Sequence, residues 1–397
     1  MHNVRKVTED LYWIGGNDRR LAKFEAHYPI PDGVSYNSYL LVDDKTVLFD
    51  TVDRAIEGQF IENIDFVLGD RKLDYIVVNH MEPDHCATLQ VIADKYPEAT
   101  IIGNAKTFNM IKQFFSFNCD CRCLVVKEND VFETANHSFK FVMAPMVHWP
   151  EVMVTFDEKT GMLFSADAFG SFKALNGNVF SDEINFERDW LDEARRYYTN
   201  IVGKYGMQVS NLFKKVENFD IKMILPLHGP IWRENISFII EKYLKWASYE
   251  AEEDGVVIAY GSIYGNTANA AEILATKLAE KGMKNIKLYD VSVTHTSYIL
   301  SDCFKYKNLV FAAATYNGGI FTYMENLLTE LKVHNIQNKK IALIENGTWG
   351  PMAKKQMMEL VKCFKKSEII EDAVTIKSSM TDEQLNGLDI IADRILE

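Results

Sequence analysis

The chain has 397 residues, 47% hydrophobic and 25% charged, with 21 Gly and 9 Pro. At about 150 residues per domain this predicts two to three folded domains and excludes disordered, collagen-like and low-complexity classes. Lys and Arg total 43 against 56 Asp and Glu, a formal charge of -13, which argues against a broad basic face for nucleic acid or for an anionic membrane surface.

The start, Met1-His2-Asn3-Val4-Arg5-Lys6, lacks the apolar stretch of a secretory signal, and no run of about 18 apolar residues offers a membrane span. The cytoplasm is the expected compartment. Three of the six cysteines, Cys119, Cys121 and Cys123, alternate along one segment. This is not the spacing of a zinc or redox CxxC motif. On a strand it would put three thiols on one face.

In chain order, 37–42 and 46–50 read as a hairpin around Asp43-Asp44. A nearly continuous apolar strand at 73–78 leads to a helix at 87–96, then a strand at 99–102 and a helix at 105–115. Strands are expected at 124–126, 139–142, 152–156 and 162–165. A long helix is expected at 187–205, another at 208–216, a strand at 223–225 and a helix at 236–249. An acidic, polar stretch ends in Gly255, so the domain boundary is placed near 252, giving domains 1–251 and 252–397. Beyond it the pattern alternates: strands at 256–259, 284–289, 308–314, 340–344 and 374–376, helices at 268–281, 320–332, 353–364 and 383–396. The fold class is α/β. The first domain reads as an αββα sandwich and the second as an open, doubly wound parallel sheet with its ligands at the strands' carboxyl ends.

The chemistry concentrates at strand ends. His80-Met81-Glu82-Pro83-Asp84-His85 puts four metal-ligand types into six positions after the 73–78 strand. His148, Asp167 and His228 each follow another strand. Four imidazoles and three carboxylates are too many for one tetrahedral zinc and suit two metals about 3.5 Å apart with one carboxylate shared. Nitrogen and oxygen donors without thiolate suit Zn, Fe or Mn.

In the second domain, Ser262-Ile263-Tyr264-Gly265-Asn266-Thr267 separates a buried strand from a helix. Its backbone N–H groups, the Ser262 and Thr267 hydroxyls and the helix N-terminus can cradle a phosphate. It is neither a Walker A motif nor G-x-G-x-x-G, so a dinucleotide is disfavoured.

The pattern H-x-E-x-D-H, H, D, H resembles the metallo-β-lactamase superfamily, with Glu82 where its hydrolases usually carry a second histidine. Together with the attached second domain it resembles the flavodiiron proteins over essentially the whole chain. The resemblance implies that His80, Glu82 and His148 hold one iron, Asp84, His85 and His228 the other, and that Asp167 bridges them. It places His27 and Tyr198 at the open iron position. It also implies a flavodoxin-like domain binding FMN. The phosphate loop is then 262–267, and Thr315-Tyr316-Asn317-Gly318-Gly319 and Asn346-Gly347-Thr348-Trp349-Gly350 grip the isoalloxazine. Tyr316 or Trp349 would stack on the ring.

The implied activity is four-electron reduction of O2 to water, with reduction of two NO to N2O as the alternative. Electrons would come from outside, from rubredoxin, a flavoprotein or reduced coenzyme F420 (F420H2), since no CxxC…CxxC rubredoxin unit follows. A head-to-tail homodimer, extending to a dimer of dimers, is implied as well. A dinuclear zinc hydrolase and a plain electron carrier are the competing classes.

Overall fold

The computed structural model describes residues 1–117 and 122–397. Two units emerge, Met1–Tyr198 with Met207–Tyr243, and Thr199–Gly206 with Leu244–Glu397.

In the first unit, the described residues form a seven-stranded and a five-stranded sheet. The seven-stranded sheet runs, edge to edge, through Arg5–Lys6, Leu11–Trp13, Tyr39–Val42, Thr46–Phe49, Tyr75–Val77, Thr100–Gly103 and Cys123–Val125. Its first four strands are antiparallel and its last four parallel. Thr46–Phe49 is buried on both faces, as a mid-sheet strand of consecutive apolar residues must be. The second sheet orders Val131–Glu133, Ser138–Met143, Met153–Asp157, Met162–Phe164 and Met223–Leu225. The sheets meet through aromatic rings: Phe49 of the first stacks on Phe164 of the second at 3.8 Å and meets Phe139 edge-on at 5.2 Å. Helices flank this core, giving the αββα sandwich. The functional side chains follow the strand ends, on loops or, for Asp84 and His85, on a first helical turn.

The second unit's parallel sheet is ordered Ile286–Asp290, Glu253–Gly261, Tyr306–Tyr316, Lys340–Asn346 and Glu368–Ile369, with Val374–Ile376 also pairing on Lys340–Asn346. Written by sequence rank the order is 2-1-3-4-5, the flavodoxin-like winding. Val256, Ile258, Val310 and Ile344 pack with Leu274 and Leu278 of helix Asn266–Glu280 and with Leu388 and Ile391 of helix Asp382–Leu396.

Several elements, among them helix Glu57–Leu68, have no counterpart in the sequence expectations, and three departures are informative. The helix expected to begin at 87 has a forerunner, Pro83–Cys86, with Pro83 at its first position and Glu82 extended before it; proline favours both conformations. Asp84 and His85 therefore sit on a helical turn, not a loop. The single helix expected over 187–205 is broken into Phe186–Asp189 and Leu191–Tyr197, then a π-helical turn Tyr198–Val202 and a 3-10 turn Gly203–Tyr205. Helix Thr296–Lys305 has no counterpart among the sequence expectations. It buries Ile299, Leu300, Cys303 and Phe304, but its Thr-Ser opening weakens the helical signal. Cys119 and Cys121 lie outside the described residues, while Cys123 opens a strand.

Candidate functional site

His80, Glu82, His148 and Asp167 form one buried group of potential ligands, and Asp84, His85 and His228 a second. In the first, His80 Nε2 lies 3.3 Å from Glu82 Oε2 and 3.3 Å from Asp167 Oδ2. His148 Nε2 lies 2.9 Å from Glu82 Oε2 and 3.0 Å from the same Asp167 oxygen. In the second, Asp84 Oδ2 lies 3.4 Å from His85 Nε2 and 3.2 Å from His228 Nε2. Asp167 turns its other oxygen, Oδ1, to this group, 3.1 Å from His85 Nε2 and 3.7 Å from His228 Nε2. One carboxylate thus offers one oxygen to each group.

The loops are held from behind. His80 Nδ1 donates to Glu151 Oε1 at 2.8 Å, and the same oxygen accepts from the Met81 amide at 2.8 Å. Asp50 accepts from the amides of Asn79 and His80. His228 Nδ1 donates to the Ser35 carbonyl at 2.7 Å. With Nδ1–H committed in this way, Nε2 is the nitrogen that His80 and His228 turn to the cluster, where a metal ion would take the place of a proton. Ala166, just before Asp167, has a φ of 52°, a left-handed conformation that a non-glycine residue keeps only where its surroundings enforce it.

The donors fit a pair of metal ions. Both Asp84 oxygens are buried and accept no hydrogen bond from the described residues, a cost that a cation removes. His85 Nε2 and His228 Nε2 face each other at 3.0 Å, an arrangement that a shared cation makes favourable. Burial alone would lower His80, His85 and His148, yet the carboxylates win. Asp167, Glu151 and Glu82 hold His80 well above its usual range, and Asp167 with Glu82 raises His148 to about 9. Burial would likewise raise Asp167, but His85, His148 and His80 draw it well below the carboxylate range. The polypeptide balances its buried anions with protons that metal ions would displace. Cys86 is not a donor here: its thiol points to the Met81 carbonyl and burial pushes it up to about 12.

In the second unit, a cavity of about 560 Å³ opens at the carboxyl ends of the parallel strands. Ser262, Ile263, Tyr264, Asn266 and Thr267 line one side, Thr315, Tyr316, Asn317 and Gly318 a second, and Asn346, Gly347, Thr348, Trp349 and Gly350 a third. Gly265 caps helix Asn266–Glu280 at a φ of 92°, with no side chain capping the helix, which leaves first-turn amides for an anion. Gly319 belongs to the short strand Gly319–Ile320, whose pairing with Thr315 and Tyr316 shapes the second wall.

The stretch 34–229 matches the family described as ODP family beta lactamase, and 258–362 matches flavodoxin. The anaerobic nitric oxide reductase flavorubredoxin of Vibrio vulnificus is 31% identical over 349 residues, covering 87% of this chain and 70% of its own. The nitric oxide reductase of Moorella thermoacetica is 30% identical over 374 residues, covering 94% and 92%. The rubredoxin oxygen:oxidoreductase of Desulfovibrio gigas superposes with a TM-score of 0.92 at 27% identity, covering 99% of this chain and 97% of that one. The chain belongs to the flavodiiron protein family. It is an oxidoreductase of that type, with a His/Asp/Glu metal cluster and a flavodoxin domain of the FMN-binding kind.

Around the cluster of this flavodiiron protein the structure rearranges the expected neighbours. Tyr198 packs edge-on against Tyr243 at 4.9 Å. Tyr197, one residue earlier, is the ring against His228, at 5.4 Å, and its buried hydroxyl bonds to no described residue. Burial first, then the charges of Asp167, Glu82 and Asp84, push that phenol well above its ordinary value. His27 is exposed and meets Tyr28 edge-on at 4.7 Å. The acid two residues before it, Glu25, comes to the cluster instead. Glu25 is exposed as a residue, but its carboxyl shelters against Glu82, and burial and that neighbour push it up to about 8. Phe24 and Tyr36 complete the wall around His228, at 5.4 and 5.8 Å.

The flavin cavity has two walls outside the sequence motifs, Ala314 and Ser378. Ser378 bonds through its backbone to both ends of the Asn346 amide and through its hydroxyl to Thr348. The Asn346 side chain is therefore committed to pinning two loops. The Thr315 hydroxyl is likewise committed, accepting from the amides of Met352 and Ala353. The sequence does carry a signal for Ser378: a polar loop follows the strand at 374–376 as it follows the others.

Proposed function

We propose that this flavodiiron protein reduces O2 to water with electrons from an external donor, passed through FMN to two irons. The observation carrying this reading is Asp167, which presents one oxygen to each of two buried donor groups. When bound, fully reduced FMN and a ferrous pair would together supply the four electrons that, with four protons, turn one O2 into two waters.

The chain's own part is to bind, orient and exclude. His80, Glu82 and His148 would hold one iron, Asp84, His85 and His228 the other, with Asp167 between. The hard carboxylates Glu82, Asp84 and Asp167 favour iron over a histidine-only zinc set. Phe24, Tyr36 and Tyr197 keep bulk water from the His228 side. The Tyr197 hydroxyl keeps its proton and is a donor for a bound diatomic. Thr267 and the first-turn amides of helix Asn266–Glu280 would hold the FMN phosphate, and Trp349 or Tyr316 would cover the ring. A head-to-tail homodimer, with the flavin of one subunit serving the irons of its partner, belongs to the proposal.

A second reading, reduction of two NO with two electrons and two protons to N2O and water, draws support from the Moorella and Vibrio relatives, both named nitric oxide reductases. Electrode assays with both gases on one anaerobic preparation test the choice, with rubredoxin, a flavoprotein or F420H2 as donor. Faster O2 consumption without peroxide is expected. Rapid NO loss with negligible O2 turnover would favour the second reading. Zinc at two per chain with no iron would overturn both in favour of a hydrolase.

A further inference from the structure

Resting on the metal-centre reading above, the two donor groups are formally alike. Each has two imidazoles, one carboxylate of its own and one oxygen of Asp167. What stands behind them differs. His80 donates its Nδ1–H to a carboxylate, Glu151 Oε1 at 2.8 Å, and Glu151 is 1% exposed. His228 donates to a neutral peptide carbonyl, that of Ser35 at 2.7 Å.

The Glu151 charge is not dissipated locally. Its Oε1 accepts from His80 and the Met81 amide, its own backbone N–H adds to these, and its Oε2 is buried with no hydrogen-bond partner among the described residues. Asn104 fixes its backbone by donating to the Glu151 carbonyl at 2.5 Å. A cavity of about 300 Å³ flanks Glu151 and also meets Lys106 and Lys127. Both lysines are exposed, so solvent screens them, and Lys106 is directed to the Pro150 carbonyl.

An imidazole hydrogen-bonded to a buried carboxylate takes on imidazolate character and becomes a stronger donor; one bonded to a carbonyl does so much less. We infer that Glu151 makes the two metal positions electronically unequal, so that the His80 position is the harder to reduce and the His228 position takes the first electron. One electron added to the diferric pair would leave Fe(III) on the His80 side and Fe(II) on the His228 side. The second electron would then reduce the His80 side. Glu151 is a positioning residue: it acts through His80 and touches no substrate.

The test uses the full-length holoprotein loaded with ⁵⁷Fe and FMN. Iron content is read first. Fewer than two irons per chain in the unaltered protein is a failure of the metal-centre reading, not of this inference. With two irons bound, Mössbauer spectra of the half-reduced centre are expected to show separate ferric and ferrous sites. Two identical, valence-averaged sites would overturn the inference.

Glu151→Gln keeps an acceptor for His80 and Met81 but removes the charge. In potentiometric titrations it is expected to move the second one-electron couple of the iron pair to more positive potential, further than the first. Glu151→Asp, which keeps the charge, is expected to return that couple towards its original value. A larger shift of the first couple, or no shift of either, would overturn the assignment. Should Glu151→Gln bind fewer than two irons, Glu151→Asp is read against the unaltered protein: its altered contact to His80 is expected to move the second couple further than the first, and a larger shift of the first, or none of either, would overturn the assignment.

Discussion

At the metal centre seven ionisable side chains are buried, with His80 and His228 held from behind by hydrogen bonds, whereas the flavin cavity is lined by sixteen residues with no charged side chain among them. There, Trp349 is 96% exposed and Tyr264 93%. The contrast follows from where the charge resides. Metal cations bring positive charge, so the protein must bury the compensating carboxylates and fix them in advance, because unpaired buried charge is costly. FMN brings its own phosphate, and neutral amides, hydroxyls and a helix terminus suffice to receive it. The metal centre is therefore expected to fail as a unit and the flavin site by degrees.

Removing the shared ligand breaks that contrast most severely. Asp167→Ala is expected to hold one iron or fewer per chain. Because losing even an outer hydrogen-bond partner of a ligand costs about 10–100-fold, gas turnover is expected to fall by more than about 100-fold. Flavin absorbance should be retained. Two irons per chain with normal turnover in the variant would refute the sharing.

The flavin side responds more gently. Thr267 is buried at the phosphate loop, and Thr267→Ala should lose one hydrogen bond of about 1–1.5 kcal/mol, roughly tenfold in FMN affinity, with iron content unchanged. Fluorescence titration of the apoflavoprotein checks this; unaltered affinity removes Thr267 from the phosphate site. Trp349→Ala should cost about 0.5–1.5 kcal/mol of stacking, a few-fold in affinity. Because the side chain is almost wholly in solvent, the melting temperature of the flavin-free protein should not change.

The smallest effect sharpens the comparison from outside both sites. Buried His137 bonds Asp157 through Nδ1 at 2.6 Å and Asp10 through Nε2 at 3.0 Å. Burial would lower its pKa, but the two carboxylates raise it above 6.5, while Asp157 is drawn below 3.8. The histidine's contribution is complete below 6.5 and fades as pH rises through its raised value. The Asp157 contribution is present above 3.8 and fades as pH falls through its lowered value. His137→Gln should therefore depress the melting temperature most between those limits, and the deficit should shrink towards alkaline pH. A pH-independent deficit would show that packing, not charge, is what His137 supplies.

Much of this is legible in the amino-acid sequence alone. The ligand types announce themselves because four separate strand ends carry His, Asp or Glu together, where any one alone would more often be structural, and the second domain's strand–helix alternation gives its open parallel sheet. What stays hidden acts without a residue-type signature. Ser35 holds His228 through a backbone carbonyl, which any residue at that position could offer. Glu151 sits in an ordinary-looking Pro150-Glu151 loop and matters only because folding brings it to His80. Tyr197, next to the expected Tyr198, is the ring against His228, a one-residue difference between two adjacent tyrosines that residue type does not resolve. Glu25 reaches the cluster from a two-residue turn with positive φ at Glu25 and Ala26, which hydrophobic patterning does not encode.

The central claim is that two irons share Asp167 between the His80 and His228 sides. Anomalous diffraction at the iron edge from anaerobically grown crystals tests it directly. The account predicts two iron peaks, one among His80, Glu82 and His148 and one among Asp84, His85 and His228, each touching a different oxygen of Asp167. A single peak, or two peaks with Asp167 bound to only one, would contradict it.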